Sequence, residues 1–237
     1  MFNYYVSKVI ISIDNKKKKQ LILFFGIFCN VIYLGIFKYT DFIIVNINIF
    51  FQSNLQTFDL PFPLAMSFFT FQTIAYLVDC YDGEVKVKSL KEFALFIIFF
   101  PQLIAGPIVK YNYMMPQFSS SENKFINPKN ILLGLTIILI GIFKKIVLAD
   151  NLSINVDYGF SNFDTINFLE SWITSISFTL QIYFDFSGYI DMALGASIFV
   201  GIQLPINFNK PYLTSSLTDF WRNWHITLSR WFKDYLY

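Results

Sequence analysis

The sequence predicts an all-α, polytopic integral membrane protein with several transmembrane, re-entrant and interfacial helices. Hydrophobic residues make up 55% of its 237 residues and charged residues only 14%, whereas soluble domains carry about 25% charged residues. The mean hydropathy is +0.50. The 30 Phe and 14 Tyr residues suit helices that face lipid and carry aromatic belts at their ends. The lipid bilayer is therefore the expected surrounding of this chain.

Charged residues separate the apolar runs, and a spanning helix needs ~20 mostly apolar residues. The run 20–37 is predicted as the first span, with its N-terminal end in the cytoplasm because lysines 16–19 precede it. The next run, 42–58, carries several Asn and Gln residues and is predicted as a separate in-plane or partner-packed helix. The run 60–78 is predicted as the second span, opened by prolines.

The later runs contain helix breakers and small residues. The run 93–109 is interrupted by Pro101 and Pro107, which indicates either a re-entrant element or a kinked span. In the run 130–149, Gly134 and Gly141 lie two turns apart, a spacing that allows close approach of a neighbouring helix.

Two further apolar stretches, 162–190 and 192–208, are interrupted by carboxylates. In total we expect five to seven membrane-embedded helices within one domain. Intervening linkers of the Gly/Ser-rich or Pro-rich kind are not found in the sequence.

The last segment, 216–237, is predicted as one capped, amphipathic helix at the membrane interface. Ser216 and Asp219 have the spacing of a capping box, and three of the four Trp residues of the chain lie in this segment. Aromatic and aliphatic residues recur at three- and four-residue steps, with charged residues mostly on other faces.

His225 is the only histidine of the chain. On a single helix it lies one turn from Trp221 and one turn from Leu228, and so borders the apolar face, where desolvation favours neutral imidazole. A neutral imidazole can act as a general base toward a hydroxyl. A hydrogen-bonded packing role is the alternative.

A second group of candidates lies in the segment 181–195. Asp185 and Asp191 occur in an apolar environment, with Ser187 between them, and intramembrane carboxylates are functional-site candidates. The alternative is a salt bridge that fastens helices together, to Arg222, Lys210 or Lys144, and we favour it for both carboxylates, for Asp191 above all.

The sequence gives no support to several functional classes. The 18 basic and 16 acidic residues give a net charge of +2 without a long basic stripe, which argues against nucleic acid as a partner. The sequence contains no GxSxG, no HExxH and no glycine-rich phosphate loop. Cys29 and Cys80 form no metal-ligand spacing, so we expect no metal site and no bound cofactor.

Six segments resemble motifs of the membrane-bound O-acyltransferase family, in particular its bacterial branch of alginate O-acetyltransferases. In chain order they read PLAMSFFTFQTIAYLVDCY from Pro63, FFPQLIAGPIV from Phe99, GIFKKIVLAD from Gly141, QIYFDFSGYIDMALG from Gln181, LPINFNKPY from Leu204 and DFWRNWHITLSRWFKDYLY from Asp219. Six such segments in the same order are more specific than any one of them.

This resemblance implies transfer of an acyl group, most simply acetyl, to a hydroxyl of an extracytoplasmic polysaccharide such as alginate or a cell-wall polymer. The donor is expected to be a cytoplasmic thioester, acetyl-CoA or an acyl carrier, used as a substrate. The expected location is the bacterial cytoplasmic membrane, where other exported acetylation proteins are expected partners. The resemblance makes His225 a supporting site residue, with Asp185, Ser187, Trp221, Arg222 and Trp224 as lining or structural residues.

The sequence also differs from the family pattern. Family members carry further N-terminal helices and, after the DYLY segment, a second histidine in a Gly-Leu-Trp-His-Gly-like motif. Residues 1–237 therefore resemble a single partial domain of this family. The alternatives are a non-catalytic membrane component or scaffold of such a pathway, and a transporter or channel that uses Asp185 and Asp191.

Overall fold

In the computed structural model, which describes residues 1–85, 89–104, 106–121, 123 and 127–237, the protein is helical. Within these residues helices are joined by turns and irregular segments, and no strand is formed. The prediction of an all-α protein is confirmed.

The described residues form eleven α-helices, α1 to α11 in chain order. The first six are α1 (Phe2–Ser12), α2 (Lys16–Phe51), α3 (Met66–Asp82), α4 (Leu90–Ile98), α5 (Phe100–Leu103) and α6 (Tyr111–Ser119). The other five are α7 (Pro128–Ile142), α8 (Asp150–Ser161), α9 (Phe168–Phe199), α10 (Leu217–Asn223) and α11 (Ile226–Tyr235). A π-helical stretch, Phe143–Ala149, joins α7 to α8, and a 3₁₀ turn, Pro211–Leu213, precedes α10.

The chain forms two compact units. The first comprises Met1–Ile104, Ile108–Met115 and Lys233–Tyr237. The second comprises Pro116–Phe232 and a short stretch that ends at Pro107.

Among the residues that the structure describes, two helical stretches are long and apolar enough to cross a membrane: α2, with 36 residues, and Pro128–Ser161, with 34. At 1.5 Å per residue each is ~50 Å long, more than the ~30 Å of a bilayer core. Many of their large apolar side chains are exposed, such as Leu21, Phe24, Leu132 and Leu139. Such a surface is stable against lipid rather than against water.

Helix α2 is longer than the sequence predicted. Residues 20–37 and 42–58 were expected to form separate helices, but one helix runs through Lys38 and Asp41 to Phe51. Asp41 is part-exposed, and its carboxylate accepts hydrogen bonds from two backbone N–H groups of the returning segment, at residues 58 and 59. The charge is thus accommodated without a helix end, and the predicted break is wrong.

The third and fourth helices begin and end at backbone irregularities. Helix α3 begins at Met66, after Ala65 in a left-handed conformation, rather than at the predicted residue 60. The run 93–109 is broken at Phe99, whose extended ψ of 104° ends α4 one residue before the short α5 begins. The break just before Pro101 agrees with the sequence prediction, because Pro101 has no N–H with which to continue the hydrogen bonding of α4, whereas it is tolerated in the first turn of α5.

Polar side chains join the helices of the first unit. The amides of Asn3 and Asn30 exchange two hydrogen bonds, of 3.0 and 2.7 Å, between α1 and α2. Thr73 of α3 donates to Asn30, and the hydroxyls of Ser7 and Tyr76 lie 3.1 Å apart. These buried groups satisfy one another, which orients the three helices.

Helix α9 is the longest helix of the second unit and packs along α7 and the π-helical stretch. Its 32 residues run through Asp191, where the sequence predicted a division between two stretches. That prediction is wrong because Lys144 neutralises the Asp191 carboxylate, at 2.6 Å between Nζ and Oδ2. A paired carboxylate does not have to leave the apolar environment.

Reciprocal glycine contacts bring α7 and α9 close together. A Cβ on Gly141 would lie 2.5 Å from the carbonyl oxygen of Gly188, and one on Gly188 would lie 2.7 Å from that of Gly141. Two turns away, Gly134 and Gly195 stand in the same relation, at 2.6 and 2.5 Å. The close approach predicted for Gly134 and Gly141 is confirmed.

Candidate functional site

The predicted single helix 216–237 is two helices, and the only histidine lies between them. Helix α10 begins with the predicted cap, in which the Ser216 hydroxyl accepts the N–H of Asp219 at 3.1 Å. It ends at Asn223, and α11 begins at Ile226. The continuous helix predicted from the periodicity is therefore wrong at Trp224 and His225.

His225 has a left-handed backbone conformation, with φ of 44°. Its carbonyl oxygen accepts the N–H groups of Leu228 and Ser229, at 3.0 and 3.1 Å, so it precedes the first turn of α11. A residue other than glycine rarely adopts this backbone conformation, and the residues that do adopt it cluster at functional sites.

Contacts from the irregular segment that follows α9 explain the break. The N–H of Ile226 donates to the carbonyl of Asn207 at 3.0 Å, and the N–H of Asn209 donates to the carbonyl of Asn223 at 3.1 Å. These bonds replace hydrogen bonds that a continuous helix would make.

Aromatic side chains surround this break and are called the aromatic shell below. Its members come from α9, the irregular segment, the 3₁₀ turn, α10 and the break itself: Tyr183, Phe186, Phe208, Tyr212, Phe220 and Trp224. Phe186 and His225 lie edge to face with ring centroids 4.9 Å apart, and Phe208 and Trp224 do so at 5.0 Å. The shell fixes the imidazole from the α9 side and excludes water from it.

Burial sets the charge of His225. The residue is 9% exposed, and this burial lowers the pKa of its imidazole from 6.5 to about 4 because the charged form is poorly solvated. The imidazole is therefore neutral at physiological pH. The sequence-based expectation of a neutral, desolvated histidine is confirmed, although the helix geometry used to reach it is not.

Asp185 and Asp191 of α9 form ion pairs with adjacent lysines of the π-helical stretch. Lys144 pairs with Asp191, and Lys145 pairs with Asp185 at 2.7 Å and with Asp150 at 2.8 Å. For Asp191 the predicted salt bridge is confirmed, and its partner is Lys144, one of the three that were predicted. For Asp185 the predicted salt bridge is present, but its partner is Lys145 rather than Arg222, Lys210 or Lys144.

The other candidate residues are dispersed. Ser187 is 2% exposed, and its hydroxyl makes no hydrogen bond with the part of the chain that the structure describes. Trp221 is 55% exposed, and Arg222 pairs with Asp219 at the surface. Of the six candidates, His225, Trp224 and Trp221 are joined through the aromatic shell, and Trp221 joins it through the ring of Phe220, at 5.2 Å between centroids.

No group of three or more His, Cys, Asp and Glu side chains that could hold a metal ion occurs within the described ranges. Cys29 and Cys80 are both free thiols. The absence of a metal site stays a prediction for the whole protein.

Comparison with known proteins gives the family. The sequence profile of the membrane-bound O-acyltransferase family matches residues 84–237, about two thirds of the chain. The chain belongs to this family. Five of the six motifs on which the resemblance was based begin within the matched residues, and the one that begins at Leu204 supplies the segment that holds the helix break.

The names of the relatives of this chain refer to different polymers. A peptidoglycan O-acetyltransferase of Helicobacter pylori is 46% identical over 262 aligned residues, which cover 100% of this chain and 50% of the relative. A probable alginate O-acetylase of Pseudomonas aeruginosa is 36% identical and covers 100% and 46%, respectively. A teichoic acid D-alanyltransferase of Bacillus subtilis is 32% identical and covers 73% and 44%. The chain spans about half the length of the curated relatives it matches.

The ion pairs of α9 differ in exposure, which predicts different effects on stability. We expect Asp191→Asn to lower the free energy of unfolding by roughly 2 kcal/mol, because it leaves the part-buried Lys144 without its charged partner. Asp185→Asn is expected to cost less than about 1 kcal/mol, because Asp185 is half-exposed and Lys145 keeps Asp150. Denaturation of the purified variants in detergent measures both. Equal losses would contradict the assignment of Asp191 as the fastening residue.

Sequence reasoning missed Asn207, Phe186 and Phe208. Each lies within a segment that was quoted for the family resemblance, but none was selected as a site residue. No local pattern distinguishes Phe186 and Phe208 from the other residues among the 30 Phe of the chain. Only the fold brings Phe186 to His225 and Phe208 to Trp224. For Asn207 the sequence offers a weak indication of a structural role, because a second Asn follows two residues later in a stretch between two apolar elements.

Proposed function

We propose that this protein is an O-acetyltransferase of the bacterial cytoplasmic membrane that modifies cell-wall peptidoglycan. The observation that carries the proposal is the 46% identity with the Helicobacter pylori peptidoglycan O-acetyltransferase, which extends over the whole of this chain. The alginate O-acetylases align over the whole chain as well, but with 36% identity or less. The proposed acceptor is therefore a sugar hydroxyl of peptidoglycan.

The proposed donor is an acetyl thioester that reaches the protein from the cytoplasm. The hydroxyl oxygen of the sugar attacks the thioester carbonyl carbon, an ester C–O bond forms and the C–S bond breaks. The proton of the hydroxyl ends on the released thiol. Because a thioester is already activated, the protein has mainly to align the two substrates, exclude water and help the proton leave the hydroxyl.

His225 is proposed as a supporting residue of this reaction. Its neutral imidazole can accept a hydrogen bond from the attacking hydroxyl, or can orient the second histidine that the family resemblance implies. The aromatic shell supports this role, since a dry surrounding keeps the imidazole neutral and strengthens its hydrogen bonds.

The membrane provides the proposed route between donor and acceptor. Helix α2 and the stretch Pro128–Ser161 have the length to cross it, and the close packing of α7 on α9 provides a rigid wall in the second unit. We propose a multi-pass arrangement with the donor on the cytoplasmic side and the acceptor on the outer side.

Chemical analysis of the cell wall tests the proposed function. Peptidoglycan and exopolysaccharide are isolated from the wild-type strain, a strain that lacks the gene, and the complemented strain, and ester-bound acetate is released by mild alkali and quantified. We expect acetate to disappear from peptidoglycan alone and to return on complementation. Loss from the exopolysaccharide alone would assign another acceptor. Unchanged acetate in both polymers would reject an acetyltransferase.

A further inference from the structure

Asn207 lies at the centre of the contacts that hold the helix break at His225. The residue is fully buried, with 0% exposure, although it belongs to an irregular segment after α9. Its side-chain Oδ1 accepts the N–H of Thr227 at 3.1 Å and the hydroxyl of Thr227 at 2.6 Å. Its backbone carbonyl accepts the N–H of Ile226. One residue thus occupies the first two N–H groups of α11.

The same segment also holds the end of α10. The N–H of Asn209 donates to the carbonyl of Asn223 at 3.1 Å. The stretch 207–209 therefore binds the chain on both sides of Trp224 and His225. Without these bonds, the helical periodicity of the apolar residues in 216–237 favours one continuous helix, in which His225 would have a right-handed conformation.

From this geometry we infer that Asn207 is a positioning residue, which holds the His225 imidazole against Phe186 by fixing the first turn of α11. The inference rests on the proposed function only for its effect on acetyl transfer. The position of the imidazole can be measured without any turnover.

A packing role alone does not account for Asn207. A buried amide is costly unless its hydrogen bonds are made, and its Nδ2 has no hydrogen-bond partner among the residues that the structure describes. An apolar side chain of similar volume would avoid that cost. The benefit of an amide here lies in Oδ1, which is the acceptor that the start of α11 requires.

The test uses the fact that His225 is the only histidine among these 237 residues. The protein is labelled with ¹⁵N-histidine, purified through a tag that contains no histidine, and placed in lipid nanodiscs. The imidazole signals of His225 are identified by their loss in His225→Gln, and they report the ring current of Phe186 and the pKa of His225. Ester-bound acetate in peptidoglycan is measured in cells that produce the same variants.

Asn207→Ala removes the side-chain acceptor and leaves the backbone carbonyl in place. We expect the imidazole signals to lose the ring-current shift and the pKa of His225 to rise toward 6.5 by about one pH unit or more. Acetylation is expected to fall about 100-fold, the effect of a small displacement of a site group. Asn209→Ala is the matched control, because that side chain is exposed and its backbone bond is kept, so both readouts should stay as in the wild type.

A second pair of variants covers the case in which Asn207→Ala does not fold. Thr227→Val removes the hydroxyl that donates to Asn207, and Thr227→Ser retains it. We expect the valine variant to shift the imidazole signals in the same direction as Asn207→Ala, and the serine variant to match the wild type.

The outcomes separate this inference from the proposed function. Unchanged imidazole signals and an unchanged pKa in Asn207→Ala, or in Thr227→Val if the former does not fold, would overturn the positioning role, whatever happens to acetylation. If Asn207→Ala displaces the imidazole while His225→Gln retains full acetylation, the positioning role stands and the proposed role of His225 in transfer fails.

Discussion

His225→Gln is expected to reduce the ester-bound acetate of isolated peptidoglycan about 100-fold, with the variant present in the membrane at the wild-type level. General acid–base assistance contributes a factor of this order or more. Glutamine keeps much of the volume and a hydrogen-bonding end, but it cannot exchange a proton at neutral pH. Acetate release by mild alkali measures the effect.

The pH dependence gives a second readout for the same residue. Because burial lowers the pKa of His225 to about 4, the imidazole stays neutral between about pH 6 and pH 8. Protonation of His225 is therefore not expected to reduce transfer in this range, and its contribution is lost only as the pH falls toward 4.

Lys233→Gln is the control for His225→Gln, because Lys233 lies on the exposed side of α11, the helix that follows His225. It is expected to leave the acetate content unchanged. Retention of more than half of the acetate in His225→Gln would contradict a role for the imidazole in transfer and would favour a purely structural one.

The second large effect is expected at the contact between α7 and α9. Gly141→Ala places a methyl group 2.5 Å from the carbonyl oxygen of Gly188 and 2.9 Å from the backbone nitrogen of Met192. Both are backbone atoms of a long helix and cannot move individually. Overpacking of this kind costs roughly 1–3 kcal/mol or more, so we expect a lower denaturation midpoint and less protein in the membrane.

Gly35→Ala is the matched control for this substitution. Gly35 also lies inside a long apolar helix, α2, but a Cβ there would have no neighbour within 4 Å. Alanine at such a position is expected to stabilise the helix by about 0.5–1 kcal/mol. Detergent denaturation of the two variants compares them directly, and a similar stability of Gly141→Ala and Gly35→Ala would show that the glycine contact does not hold the helices together.

The site was only partly predictable from the sequence. The capped start of α10, the neutral charge of His225 and salt bridges at Asp185 and Asp191 were anticipated, because each follows from residue type and local environment. The lysine partners were not fixed by the sequence: Lys144 was one of three candidates, and Lys145 was not among them, since the partner depends on how the π-helical stretch packs along α9. The aromatic shell was not anticipated either, because Phe186 reaches His225, and Phe208 reaches Trp224, from distant parts of the chain.

The sequence by itself determined that this chain is helical, that its surface is apolar enough for a membrane, and which family it belongs to. These properties follow from composition, charge spacing and motif order, and they hold for any arrangement of the helices. Only the tertiary structure decided where the helices end. Helix α2 runs through Asp41 and α9 through Asp191, because partners from elsewhere in the chain satisfy these carboxylates. A periodic aromatic helix instead breaks at His225, because Asn207 satisfies the backbone groups that the break exposes.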